Sequence, residues 1–159
     1  MSCCDIKNED HTKKNNFLFT CPECEDKGTK VEMVTPKTLL MDSSKIKIHE
    51  SLKYKFCRNR NCKIAYFTKN NNHYFTKYEL KIKATLKDQS LSVKTCYCFG
   101  HTRQSIIDEI KKTGQSTVVK DIRGKMKSLG CFCETSNPQG SCCLSNNVAW
   151  VKEAKKMCL

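Results

Sequence analysis

Apolar residues recur along this chain in two rhythms. In the first half they form short runs between polar residues: Phe17-Leu18-Phe19, Val31 to Val34, Tyr54 to Cys57, Ile64 to Phe67 and Tyr78 to Lys83. The runs are rich in β-branched and aromatic side chains, which predicts strands over residues 17–85. Asn70-Asn71-Asn72 predicts a turn between two of them. In the second half the spacing lengthens to three and four. Thr102 predicts an N-cap, Ile106, Ile107 and Ile110 follow at helical intervals, and Gly114 stops the run. A second helix is predicted from Ser116, with Val118, Val119, Ile122, Met126 and Leu129 on one face and Gly130 at its end. A last helix, over residues 147–157, carries Val148, Trp150, Val151 and Ala154. Between the halves, Leu86 to Ser92 is polar and reads as a connector. Residues 1–16 lack any period and read as a flexible tail. The expected class is α+β: a β-rich unit over 17–85, then a helical unit over 93–159.

The apolar supply is thin. Hydrophobic residues make up 38% of the 159 and aromatics 8%, so the ordering entropy of such a chain calls for help beyond burial. The 13 cysteines are the candidate. Their number is odd, they fall in close pairs, and the start Met-Ser-Cys-Cys-Asp-Ile has no apolar run behind a basic residue. That pattern predicts metal ligation in a cytoplasmic protein and argues against a secreted disulfide scaffold. No apolar stretch approaches the length of a membrane span. The net charge of +13 comes from scattered lysines. It reads as a solvated surface, which disfavours nucleic acid as the main partner.

Cys21-Pro-Glu-Cys24 is a C-x2-C knuckle, and Cys57 and Cys62 form a C-x4-C pair. Two close pairs from separate turns are how a tetrahedral zinc ion commonly receives four soft ligands. The closed shell predicts a structural zinc that stabilises the β-rich unit. Further on lie Cys96-Tyr97-Cys98, Cys131-Phe132-Cys133 and Cys142-Cys143, around Asn137-Pro138-Gln139-Gly140. Six thiols exceed the need of one zinc, and C-x-C is a poor tetrahedral chelate. A [2Fe–2S] cluster, which takes four thiolates, is the expected occupant, with a second zinc ribbon as the alternative. Cys3, Cys4 and Cys158 receive no role, and His11, His49, His73 and His101 lie near no complete ligand set.

The succession of these motifs resembles a family. Cys21-Pro-Glu-Cys24, then Phe56-Cys57 through Cys62 to Tyr66-Phe67, then Cys96-Tyr97-Cys98 and Cys133 through Asn137-Pro138-Gln139-Gly140 to Cys142-Cys143 is similar to the N-terminal domain of CopZ-type copper metallochaperones. The likeness runs over about residues 17–150. The second half also resembles the bacterioferritin-associated ferredoxins. What the resemblance implies is zinc on Cys21, Cys24, Cys57 and Cys62, and a [2Fe–2S] cluster on Cys96, Cys98, Cys133 and Cys143. Cys131 and Cys142 would then be spectators. Cys133 and Cys143 would share one iron, with Cys96 and Cys98 on the other. Full-length members add a copper domain with a Met-x-Cys-x-x-Cys loop, which is not found up to Leu159. The expectation is therefore an iron–sulfur and zinc accessory protein in copper homeostasis, lacking that C-terminal domain. It would serve as a one-electron redox partner or metallochaperone component for a copper-handling protein, and not as a bond-making enzyme. The alternative from another class is a zinc-stabilised nucleic-acid-binding module. A thiol oxidoreductase is disfavoured because no βαβ pattern surrounds Cys21.

Overall fold

The computed structural model of the protein describes residues 19–69 and 73–158. The tail over 1–16 with Cys3, Cys4 and His11, the run at Phe17-Leu18 and the turn at Asn70-Asn71-Asn72 lie outside them. Four strands, β1 (Thr29–Val31), β2 (Tyr54–Phe56), β3 (Ile64–Thr68) and β4 (Tyr74–Thr76), form one antiparallel sheet in that order. All five residues of β3 are buried, so this strand is covered on both faces. On one side Tyr54, Phe56, Tyr66 and Phe75 pack with Val31 and Leu40. A bulge between Ile64 and Tyr66 lets Ile64 and Phe67 join the opposite cluster, beside Cys21, Cys57 and Cys62.

Two expected strands take other forms. The run at Val31 to Val34 is strand only to Val31, because Val34–Leu39 forms helix α1 and α2 (Asp42–Lys45) follows. Pro36 explains the switch: it has no N–H for a ladder, and its fixed φ suits a first helical turn. The run at Tyr78 to Lys83 is a 3-10 turn over Lys77–Glu79, followed by an isolated bridge from Leu80 to Leu40. Here Glu79 reaches back to the Thr76 backbone N–H at 2.7 Å, and that capping box initiates a turn in place of a strand.

In the second half, β5 (Lys94–Cys96) pairs with β6 (His101–Thr102). Helices α3 (Arg103–Thr113), α4 (Val118–Leu129), α5 (Cys133–Ser136) and α6 (Leu144–Met157) follow. Thr102 caps α3 by accepting from the Ser105 N–H, and Gly114 and Gly130 end α3 and α4 at positive φ. Ile106, Ile107, Ile110, Val118, Ile122 and Ala154 form the core of this half. Leu129 departs from the expected buried face and is exposed. Helix α6 begins three residues before the predicted start, and α5 was not predicted. Among the described residues, no helix is long and apolar enough to cross a membrane.

The halves are joined by buried polar contacts. The Thr35 hydroxyl donates to the Glu134 carbonyl at 2.7 Å, and the Tyr66 hydroxyl donates to the Pro138 carbonyl at 2.6 Å. Arg103, only 4% exposed, donates to the carbonyls of Thr85, Asp88 and Ser90. The polar connector is therefore clamped along its length. Asn137 to Gly140 makes a tight turn, closed by the Gly140 N–H on the Asn137 carbonyl at 2.8 Å, with Gly140 at φ 67°. A Cβ on Gly140 would stand 2.9 Å from Val31 and 3.0 Å from the Thr35 hydroxyl. We expect Gly140→Ala to lower stability by about 1–3 kcal/mol, from strained φ and the close approach together. Gly124→Ala, where nothing lies within 4 Å, should be neutral or mildly stabilising. Equal denaturation midpoints for wild type and Gly140→Ala would show that the turn is not seated on the first half.

Candidate metal centres

The first site is built by two loops against the edge of the sheet. The Cys21 N–H donates to the Asp26 carbonyl at 2.8 Å, and the Glu25 N–H donates to the Cys21 carbonyl at 2.9 Å. Glu25 takes positive φ, 61°, to close this knuckle. The Asp26 carboxylate then accepts from the Arg58 N–H at 3.0 Å, fastening the first knuckle to the second. The result is four sulfurs, of Cys21, Cys24, Cys57 and Cys62, all within 4.8 Å of one another. Cys21 and Cys62 approach to 3.7 Å, and Cys24 and Cys57 to 3.5 Å. Four thiolates about 2.3 Å from a central tetrahedral ion stand about 3.8 Å apart, so the set fits zinc without rearrangement. Cys21, Cys57 and Cys62 are buried and Cys24 is half-buried.

The electrostatics match that use. Burial pushes the Cys57 thiol up to about 11 and raises Cys62 as well. Cys24 moves the other way: burial opposes the shift, but a backbone hydrogen bond from Asp26 and the neighbouring thiols outweigh it. Without a cation, Cys57 and Cys62 hold their protons. A divalent ion supplies the charge that displaces them.

Lys87 belongs to this site, and nothing in the sequence distinguishes it from the many solvated lysines. It is 3% exposed, and its ammonium donates to the Asn59 carbonyl at 2.6 Å and the Cys62 carbonyl at 3.1 Å. Its charge favours the Cys57 thiolate. Zinc with four thiolates carries a net charge of about −2, and a buried ammonium beside it offsets part of that. We expect Lys87→Met to weaken zinc binding by about tenfold or more, the worth of a charged hydrogen bond. Lys30→Met, at an exposed pair with Glu32, should change nothing. Chelator competition measures both, and equal affinities would reduce Lys87 to a packing role.

The second set of thiols lies where β5, α5 and the start of α6 meet. Cys96, Cys133 and Cys143 are buried, and Cys98 is half-buried. The Sγ atoms of Cys98 and Cys133 lie 3.7 Å apart, while Cys143 bonds to both Cys96 and Cys133. The contacts thus run in a line, Cys96 to Cys143 to Cys133 to Cys98. This differs from the expected division, which put Cys96 with Cys98. Cys96 ends β5 and Cys98 lies in the turn that follows, so the two leave the strand in different directions and each meets a partner at the start of a helix.

Polar groups surround the line. The Phe132 N–H points at the Cys98 sulfur from 3.1 Å. Fully buried Asn147 donates to the carbonyls of Thr95 and Cys143, both at 2.9 Å, tying β5 to the start of α6. Hydrogen bonding from Cys143 lowers Cys133 to about 6 and Cys96 to about 7, while Cys143, the shared donor, is raised by Cys133 and Cys96. Among the described residues, only the first set has all four sulfurs within 4.8 Å, so the second is the more extended. Cys142 and Cys158 stand outside this line and are half-buried. Cys131, expected as a spectator, is disulfide-bonded and stands outside both ligand sets.

Among the described residues, the histidines do not converge with the cysteines. His49 and His73 pack edge to face 5.1 Å apart, and His101 pairs with Asp121 at 2.7 Å.

Known proteins resemble this chain. Residues 19–81 match the CopZ family model described as a zinc binding domain. Over 126 residues, 79% of this chain, the sequence is 30% identical to the copper chaperone CopZ of Archaeoglobus fulgidus. The matched region spans 58% of that relative's length. The X-ray structure of the N-terminal domain of A. fulgidus CopZ superposes with a TM-score of 0.69 at 29% identity, covering 82% of this chain and 95% of that one. The likeness therefore extends beyond the zinc binding region into the second half, and supports a mixed α and β structure with a four-cysteine site suited to zinc.

Proposed function

We propose that the chain is a two-centre metal accessory protein in copper handling, with zinc on Cys21, Cys24, Cys57 and Cys62 and a [2Fe–2S] cluster on Cys96, Cys98, Cys133 and Cys143. The single observation that carries the second centre is the extended line of thiols. A mononuclear site would draw four sulfurs into one shell, as the first set does, whereas a dinuclear core needs two pairs set apart. Divided at its middle, the line gives Cys96 with Cys143 and Cys98 with Cys133. When bound, a [2Fe–2S] group supplies one-electron redox chemistry. The protein's own residues then have definable tasks. The Phe132 N–H donates to sulfur and favours an anionic core. Ile106, Ile107 and Ile110 exclude water from the inner side. Cys98, the half-buried member, marks the edge nearest solvent, where a copper-handling or redox partner would exchange an electron. The zinc site has no open position and serves structure alone.

Anaerobic purification followed by metal analysis and an absorption spectrum tests this. A brown protein with about two irons and one zinc per chain is expected. A colourless protein with two zincs would overturn the redox reading and favour the zinc-stabilised binding module.

A further inference from the structure

A cleft of about 250 Å³ opens at the seam between the halves, and the proposed function leaves it unused. Arg58 and Arg60 reach it from the loop between Cys57 and Cys62. Arg103, Trp150 and Glu153 line it from α3 and α6, together with Asn146 in the first turn of α6. Three guanidinium groups thus face one carboxylate. Arg103 is committed to three backbone carbonyls and lies 5.3 Å from the centre of the Trp150 ring. Arg58 and Arg60 are different: among the described residues, no ion pair includes either of them or Glu153. Converging like charges in a recess costs energy that scattered surface lysines do not incur. The lowering of Arg103, chiefly by burial and then by the neighbouring Arg60, reflects that crowding.

From this we infer that the cleft is an oxyanion site, and that its ligand is a dianion carried on a small molecule, of the phosphate monoester class. The lining carries a net charge of +2, three guanidinium groups less one carboxylate, and a phosphate monoester is close to −2 at neutral pH. Guanidinium is the side chain best suited to grip such a group through paired N–H donors. The site adjoins both cysteine sets: Arg58 and Arg60 lie between Cys57 and Cys62, and Asn146 follows Cys143.

The chain contains a single tryptophan, so the emission of Trp150 reports on this cleft alone. Inorganic phosphate is titrated into the zinc-loaded full chain at constant ionic strength, with sodium chloride as the matched control, followed by fluorescence and by calorimetry. A saturable response to phosphate and none to chloride is expected. Arg60→Gln should weaken binding about tenfold, and Arg58→Gln with Arg60→Gln further. Lys111→Gln, an exposed helix position, should leave it unchanged. Zinc content and circular dichroism establish that each variant is folded, and exposed Arg60 makes the single variant the safer one. A linear response, an equal response to chloride, or unaltered affinity in folded Arg60→Gln would each overturn the inference.

Discussion

Cys24→Ala is expected to abolish stoichiometric zinc binding and to unfold the sheet half of the protein. Cys24 is the informative ligand to remove because it is the half-buried one. Trimming it leaves little cavity, so packing loss contributes little to the result. What is lost is one of four thiolates in a closed shell, and structural zinc sites of this kind contribute about 10–16 kcal/mol of binding free energy that doubles as folding free energy. A reduction in zinc affinity of about a hundredfold to several thousandfold follows if one ligand supplies a quarter to a third of that. The effect should spread. The Asp26 carboxylate links the two knuckles, Lys87 anchors the connector on the Cys62 carbonyl, and Tyr66 and Thr35 hold the 134–140 loop. Loosening the first half thus undercuts the seat of the second set of thiols. Zinc content and far-ultraviolet circular dichroism of the purified variant decide the matter. If both stay at wild-type level, zinc is not what stabilises the sheet.

The second large effect concerns visible absorption. Cys133→Ser and Cys143→Ser should each remove or strongly shift the spectrum of the iron-loaded protein, because serine replaces a soft thiolate by a harder oxygen. Both sulfurs are buried in the interior of the line of four, and each meets two others. Cys142→Ser should leave the spectrum intact although it is the immediate neighbour: its carbonyl serves the Gln139 side chain, and it lies outside the line. Cys131→Ser should likewise keep the colour. Loss of colour in Cys142→Ser, with Cys143→Ser unaffected, would shift the register of the loop by one residue. No loss in any of the four would remove the cluster from this loop altogether.

How much of this was legible beforehand differs by scale. The paired cysteines at Cys21, Cys24, Cys57 and Cys62 were readable from spacing alone. C-x2-C is a local chelate, and local geometry follows from a few neighbouring residues. The helix from Thr102 to Gly114 was readable for the same reason: cap, apolar period and stop are all local signals. The turn at Asn137 to Gly140 belongs with them, since Pro138 and Gly140 restrict the backbone by themselves. Where the reading failed, the deciding contact was remote or the competing signal had been underweighted. Pro36 outweighed the β-branched run around it. Glu79 captured the Thr76 backbone and turned an apparent strand into a capped turn.

Other features could be decided only by the tertiary structure. Lys87 reads as one more solvated lysine until the fold carries it across 25 residues onto the Cys62 carbonyl. Arg58, Arg60 and Arg103 stand far apart in the sequence until the halves close around one cleft. The pairing of Cys98 with Cys133 and of Cys96 with Cys143 has the same origin. The sequence by itself determined which residues can act as soft ligands and where the chain must turn, because chelate spacing and backbone restriction are short-range. Which thiol meets which, and which charges are buried beside them, depended on the packing of distant elements, whose free energy is shared over contacts that no local window contains.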